Sequence, residues 1–149
     1  MNKVGRLFSF SGRTGRLHYW QVSLALEVMA GLPYCLFLFL AITLRVGALA
    51  GLGLIALVVT LPAYVAVSFR RLHDRNKCAW WWLVFFGPLI TADVMAASAR
   101  ARGNGLTPAL ALFMLASLIP WLWGTIELGF IRGTKGANRF GPDPYASLG

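Results

Sequence analysis

The sequence predicts an all-α membrane protein: a bundle of four transmembrane helices with short loops and with both termini in the cytoplasm. Three observations predict this fold. First, 58% of the 149 residues are hydrophobic and only 13% are charged, with a mean hydropathy of +0.65, whereas soluble domains carry about 25% charged residues. Second, the chain contains four apolar runs of the length that a helix needs to cross a bilayer, which is roughly 20 residues. Third, most Lys and Arg residues lie in only some of the segments between those runs.

The four apolar runs divide a chain that, at this length, is expected to be a single membrane domain over residues 1–149. The transmembrane helices are expected at about residues 21–44, 48–69, 79–98 and 106–131. A basic segment, residues 1–20, precedes them, and a tail, residues 132–149, follows. The first run is longer than the core of a signal peptide, which spans roughly 7–15 residues, so no cleaved signal peptide is expected.

Two smaller patterns leave alternatives open. Gly47 and Gly51 form a G-x-x-x-G at the start of the second helix, which fits either a dimer interface or, as we favour, close packing against the first helix. Trp121 and Trp123 lie deeper in the fourth helix than interfacial tryptophans usually do. Either they pack inside the bundle, or this helix ends before residue 131.

Positive charge predicts the orientation of the bundle. Three basic residues lie in the two loops on one side, and eleven lie in the N-terminal segment, the middle loop and the tail: Lys3, Arg6, Arg13, Arg16, Arg70, Arg71, Arg75, Lys77, Arg132, Lys135 and Arg139. Because cytoplasmic loops carry the excess of Lys and Arg, we expect an N-in, C-in, multi-pass membrane protein. Basic loops between apolar spans also explain the net charge of +9 without a nucleic-acid partner.

Three motifs lie in the segments that are predicted to be cytoplasmic. The first is FSGR at residues 10–13, followed by Arg16 and by Tyr19-Trp20; the second is RRLHD at residues 70–74, followed by Trp81-Trp82; the third is GTKGANRFGPDP at residues 133–144. In this order they resemble the domain of unknown function 805 family of small bacterial inner-membrane proteins. The resemblance implies an inner-membrane location and a multi-helix fold, and it carries no activity over to this chain. Lys77 departs from the small residues that the family often has there.

Three acidic residues, Glu27, Asp93 and Glu127, lie within predicted spans, where a charge is costly and marks a candidate site. Glu27 and Glu127 are expected about 10 Å and about 8 Å below the same membrane surface. They could form a proton- or cation-binding pair, or each could pair with an arginine, Arg70 or Arg71, and hold the helices together. The second interpretation is favoured, and Asp93, nearer the opposite surface, is interpreted as structural.

The motif residues form the other candidate site. They could bind anionic lipid headgroups, or Asp74 and Asp143 could pair with arginines of neighbouring segments and join the motifs into a cap, which the defined order of the residues favours. No metal-ligand spacing and no nucleophile or phosphate-loop motif occurs in the sequence, so neither metal nor cofactor is expected. The candidate residues are Arg13, Arg16, Arg70, Arg71, His73, Asp74, Asn138, Arg139 and Asp143.

Two functions from different classes follow from these sites. The leading hypothesis is a non-enzymatic inner-membrane protein whose basic cytoplasmic face binds anionic lipid or a partner protein. The alternative is a small ion- or proton-coupled transporter or channel that uses Glu27 and Glu127, as a homo-oligomer because four helices leave little room for a pathway. A membrane enzyme with a site among the cytoplasmic motifs is a third, weaker hypothesis.

Overall fold

The computed structural model describes residue 5, residues 7–46 and residues 48–146, without the side chains of residues 48–50 and 53. Lys3, Arg6 and Gly47, on which predictions above depend, lie outside the described residues. The described residues form four long helices: α1 (Arg16–Leu44), α2 (Ala48–Asp74), α3 (Trp80–Ala101) and α4 (Pro108–Gly129). Each is long and apolar enough to cross a membrane, which confirms the prediction of four spans.

The helix ends differ from the prediction at the polar end of the bundle. Helix α1 begins at Arg16 rather than near residue 21, and α2 continues to Asp74 rather than to residue 69. The sequence-based bounds stopped at the first charges, but helical hydrogen bonding continues through them, and Arg16, Arg71 and Asp74 have partners in other segments. Helix α4 ends at Gly129, two residues before the predicted end. The loop between α2 and α3 is therefore shorter than expected, and the tail after α4 begins earlier.

The helices form two antiparallel hairpins. Helix α1 packs along α2 and α3 packs along α4, whereas contacts between the two hairpins are few. Arg45 begins the first turn in a left-handed conformation, with φ of 55°, and its N–H bonds to the carbonyl of Ala41. In the second turn, the Thr107 hydroxyl accepts the N–H of Leu110 at 3.2 Å and caps the start of α4.

The hydrophobic core lies where the two hairpins meet, near the start of α1 and the end of α4. Gly124 of α4 allows α3 to pack closely on α4 in this region, because a Cβ there would lie 2.5 Å from the Cβ of Phe85 on α3. Large apolar side chains of α1 outside this core, such as Leu24, Val28 and Leu32, are more than half exposed, as expected for a surface that faces lipid. The core cluster comprises Tyr19, Val22, Leu26, Ala63, Val67, Leu72, Phe85, Phe86 and Leu128.

Candidate functional site

The three motif segments meet at one end of the bundle. The N–H of Thr14 donates to the carbonyl of Arg70 at 3.2 Å, and the N–H of Thr134 donates to the carbonyl of Asp74 at 2.8 Å. The segment before α1, the end of α2 and the tail after α4 therefore lie side by side. We call the polar side chains of residues 12–16, 70–77 and 127–145 the polar cap.

Asp74 lies at the centre of the polar cap, with its side chain 1% exposed. Arg13 donates to Oδ1 of Asp74 through Nε at 3.1 Å and through Nη2 at 2.9 Å. Arg71, one turn earlier on α2, donates through Nη1 to Oδ2 of the same carboxylate. A buried carboxylate held by two guanidinium groups is well compensated, because charge-assisted bonds offset the cost of burying the ions.

The remaining N–H groups of Arg13 bind the tail. Nη2 donates to the carbonyl of Thr134 at 2.6 Å, and Nη1 donates to the carbonyls of Gly136 at 2.6 Å and Gly141 at 3.3 Å. At Gly133, an added Cβ would overlap the Asp74 carboxylate, so the tail approaches the ion pair closely only because this residue has no side chain. Arg13 thus links the first and third motifs through the second.

Arg71 is fully buried and binds the end of α4. Its Nε donates to the carbonyl of Leu128 at 2.7 Å, and its Nη2 donates to the carbonyl of Ile131. The last carbonyls of a helix have no partners within that helix and carry partial negative charge. Arg71 therefore satisfies the end of α4 and neutralises Asp74 at the same time.

The tail packs on the last turn of α2 through aromatic and amide contacts. The ring of His73 stacks on that of Phe140, with centroids 4.0 Å apart, and the guanidinium of Arg139 lies over Phe140 at 4.6 Å. Nδ1 of His73 lies 3.2 Å from the carbonyl oxygen of Gly12. The side-chain amide of Asn138 donates to the carbonyl of His73 at 2.9 Å. The predicted motif residues His73, Asn138 and Arg139 therefore belong to one contact.

Asp143 shapes the tail rather than pairing with an arginine side chain, which corrects the expectation for this residue. Its carboxylate accepts the N–H of Tyr145 at 3.0 Å and the N–H of Gly136 at 2.9 Å. These two backbone bonds, with that of Tyr145 the larger cause, hold the pKa of Asp143 below its usual value. Gly136 has a φ of 74°, a conformation that glycine adopts without strain.

Two further arginines of the predicted site have different surroundings. Arg16 is exposed and donates to the carbonyl of Phe130 at 3.0 Å, next to the Trp20 indole, which donates to the carbonyl of Gly129 at 3.0 Å. Arg70 is 8% exposed, and the only hydrogen bond of its side chain in the described part of the chain is a long one, 3.5 Å from Nε to the carbonyl of Ala66. Its Nη2 is buried without a partner among those residues.

Glu127 pairs with two cations that the sequence-based interpretation did not name. Its Oε1 lies 2.9 Å from Nε of Arg75 and 3.0 Å from Nζ of Lys77. The expected partners, Arg70 and Arg71, lie on the last turns of α2, whereas Arg75 and Lys77 follow that helix in the loop, which turns back over α4. The Lys77 ammonium also lies 4.5 Å above the ring of Trp81. Its departure from the family pattern was the one signal in the sequence that pointed to Lys77.

Glu27 does not share the site of Glu127. It lines a separate groove between α1 and α2 and is exposed, whereas Glu127 is 4% exposed within its ion pairs. Asp93, the third acidic residue of the spans, is exposed on α3 and makes no ion pair within the described residues. The structure therefore brings together the predicted motif residues but not the three intramembrane acids.

Comparisons with known proteins agree with the resemblance of the motifs. The family described as "Protein of unknown function (DUF805)" matches residues 7–142. Inner membrane protein YhaI of Escherichia coli (strain K12) is 27% identical over 135 residues, covering 91% of this chain and 85% of the relative. The uncharacterized protein YiiR of that strain is 30% identical over 148 residues, covering 92% and 86%.

Inner membrane protein YhaH of the same strain is 35% identical over 88 residues, which cover 59% of this chain and 47% of the relative. No solved structure matches the chain. The family match covers nearly the whole chain and includes the first two motifs and residues 133–142 of the third. The chain therefore belongs to the DUF805 family, and it is a multi-pass protein of the bacterial inner membrane.

Proposed function

We propose that this protein is a non-enzymatic inner-membrane protein whose polar cap faces the cytoplasm and binds the headgroups of anionic lipids. One observation carries the proposal: the carboxylates of the polar cap are already engaged inside the molecule. Asp74 is held by two arginines, Glu127 by Arg75 and Lys77, and Asp143 by backbone N–H groups. The exposed cations that remain are Arg16, Arg132, Lys135 and Arg139.

These exposed cations keep their charge available. The hydrogen bonds of Arg16 and Arg139 go to neutral carbonyls, which leave the guanidinium charge uncompensated. Each basic residue close to an anionic membrane surface contributes about 1 kcal/mol to its attraction. A cluster of such residues directly beside four membrane spans is therefore suited to lipid phosphates of the adjacent leaflet.

Arg70 adds a buried cation to the same end. An ionised group that is buried without a counter-charge is costly, and Arg70 has no carboxylate partner among the described residues. A lipid phosphate would supply that counter-charge where α2 reaches the membrane surface. Arg71, by contrast, is fully occupied by Asp74 and by the end of α4, so it is assigned a structural role here.

The other two functions receive less support from the geometry. Transport through a paired acidic site would need Glu27 and Glu127 in one cavity, and they occupy different surroundings. Catalysis at the polar cap would need a reactive side chain that is free to contact a substrate. Asp74 and Arg13 instead form hydrogen bonds within the protein.

Quenching of tryptophan fluorescence by brominated lipids tests the proposal. The full-length protein is reconstituted with brominated phosphatidylglycerol or brominated phosphatidylcholine, and the preference for the anionic lipid is measured. Neutralising three exposed cations together, in Arg132→Gln/Lys135→Gln/Arg139→Gln, is expected to weaken that preference on the order of a hundredfold, from about 1 kcal/mol per residue.

The matched control neutralises exposed arginines at the opposite end of the bundle, in Arg100→Gln/Arg102→Gln. This control should keep the wild-type preference, because its charges are assigned to the other leaflet. If the triple variant retains the full preference for phosphatidylglycerol while remaining folded, the polar cap does not bind anionic lipid, and a partner protein becomes the better hypothesis for its basic surface.

A further inference from the structure

A groove runs along the membrane-facing side of the α1–α2 hairpin. It has a volume of about 450 Å³, within the range of about 300–1,000 Å³ that small-molecule sites occupy. Small residues on α1, Ala30 and Gly31, leave the space, and aliphatic side chains of α2 such as Leu57 and Leu61 form the facing wall. The groove lies outside the polar cap and plays no part in the function proposed above.

Glu27 places a carboxylate in this apolar groove. The side chain lines the groove and is exposed, and it makes no ion pair with any residue that the structure describes. It lies seven residues after Trp20 on α1, about 10 Å further along the helix. A carboxylate at that depth, facing lipid, is costly to keep charged, so an occupant of the groove that carries positive charge would be strongly favoured.

The other polar groups of the groove offer little competition for such a ligand. The Thr60 hydroxyl is bound to the carbonyl of Ala56 at 2.9 Å on its own helix. Tyr64 contributes an aromatic ring at the end of the groove nearest the polar cap, and aromatic faces attract cations. The groove therefore combines one negative charge, one aromatic ring and aliphatic walls.

We propose that the α1–α2 groove binds lipophilic organic cations, with Glu27 as the counter-ion. The alternative occupant, a second copy of this chain, has no cation to offer at this depth. The sequence contains no Lys or Arg between residues 17 and 44, 48 and 69, 80 and 99, or 108 and 131. The ammonium group of a zwitterionic lipid stays at the membrane surface, so it does not reach Glu27 either.

Equilibrium dialysis with radiolabelled tetraphenylphosphonium tests the proposal on the full-length protein in mild detergent. Removing the charge in Glu27→Gln is expected to weaken binding by about tenfold or more, the loss of about 1.4 kcal/mol or more. The matched control is Asp93→Asn, which removes another exposed membrane carboxylate outside the groove. Asp93→Asn should bind the cation as the wild type does.

A second pair of variants tests the groove without changing charge. A Cβ at Gly31 would meet no atom within 4 Å, so Gly31→Leu fills the groove while leaving the backbone in place, and it should reduce binding to a similar degree. Gly51→Leu is the control, because Gly51 is also open and lies outside the groove. Tetraphenylborate, an anion of the same shape, should not bind.

Two results would overturn the proposal. One is a Glu27→Gln protein that binds tetraphenylphosphonium as tightly as the wild type, since the carboxylate would then be irrelevant. The other is the loss of a cross-linked dimer in both Glu27→Gln and Gly31→Leu, with cation binding unchanged, which would assign the groove to a second copy of the chain.

Discussion

Asp74 uses both its carboxylate and its backbone to connect the motifs. The carboxylate accepts from Arg13 and Arg71, and the backbone carbonyl accepts from both the N–H and the hydroxyl of Thr134. With the Arg71 side chain 0% exposed and that of Arg13 1% exposed, both guanidinium groups depend on this one counter-charge. Removing one partner of a buried ion pair is expensive because the other charge stays buried.

At the residue scale, Asp74→Asn is therefore expected to destabilise the protein by about 3–5 kcal/mol. The amide keeps the shape of the side chain but leaves two buried arginines uncompensated. Unfolding of the purified protein in detergent, followed by tryptophan fluorescence, measures the change. Asp93→Asn, at an exposed position on α3, should change stability by less than about 0.5 kcal/mol. Equal stability of both variants would show that the buried ion pairs contribute little.

Asp143 gives the tail a dependence on pH. Its pKa is lowered by the N–H groups of Tyr145 and Gly136, so its contribution to the tail turn is fully present above the usual pKa of an aspartate. That contribution is lost as the pH falls through the lowered pKa of the folded protein. The amide resonances of Tyr145 and Gly136 should shift together on acidification, and in Asp143→Asn they should no longer depend on pH. Resonances that titrate equally in the variant would contradict this account.

At the scale of helices, α4 ends where other elements satisfy its last carbonyls. Arg71 of α2 donates to Leu128, and Trp20 of α1 donates to Gly129. Both donors lie on the other hairpin, so the end of α4 is one of the places where the two hairpins are joined. A Cβ at Gly129 would lie 2.6 Å from the Trp20 ring, which explains why this approach needs glycine.

The packing of α3 on α4 gives a prediction at the same scale. Gly124→Ala would place a methyl group 2.5 Å from the Cβ of Phe85, so it is expected to destabilise the protein by about 1–3 kcal/mol through overpacking. Gly51→Ala, in α2, meets no atom within 4 Å and should leave stability unchanged or raise it, because alanine has a higher helix propensity than glycine. Thermal unfolding in detergent compares the two, and a stable Gly124→Ala variant would mean that α3 and α4 can separate at little cost.

At the scale of the whole molecule, the polar cap places three segments on one side of the membrane. Arg13 lies before α1, Asp74 ends α2 and Thr134 follows α4, and these residues are in direct contact. The two turns of the hairpins, around Arg45 and around residues 102–107, lie at the other ends of the helices. The fold thus determines which segments share a side, and the distribution of basic residues predicts that this side is the cytoplasmic one, as we propose.

This assignment predicts the behaviour of reporter fusions to the full-length chain. A fluorescent protein fused after the tail should fluoresce, because it folds in the cytoplasm, and an alkaline phosphatase fused there should be inactive. Inserting the phosphatase in the turn near residues 103–105 should give activity, since that turn is assigned to the opposite side. The reverse pattern would overturn the N-in, C-in orientation while leaving the contacts of the polar cap intact.

The sequence by itself determined the four spans, because a helix must present about 20 apolar residues to cross a bilayer and composition records this directly. It also determined the family, through three ordered motifs. Local patterns did not determine where α2 ends, since Arg71 and Asp74, in its last turn, have partners from distant segments. Helix bounds that depend on such partners cannot be derived from the span alone.

Only the tertiary structure decided which charges pair. The sequence pointed to Arg70 or Arg71 as partners of Glu127, but the loop after α2 brings Arg75 and Lys77 to that carboxylate. The same fold places Glu27 in a separate groove. The depth of a residue along a helix can be counted from the sequence. The neighbours that its side chain meets, and hence its partner, depend on how the two hairpins pack together.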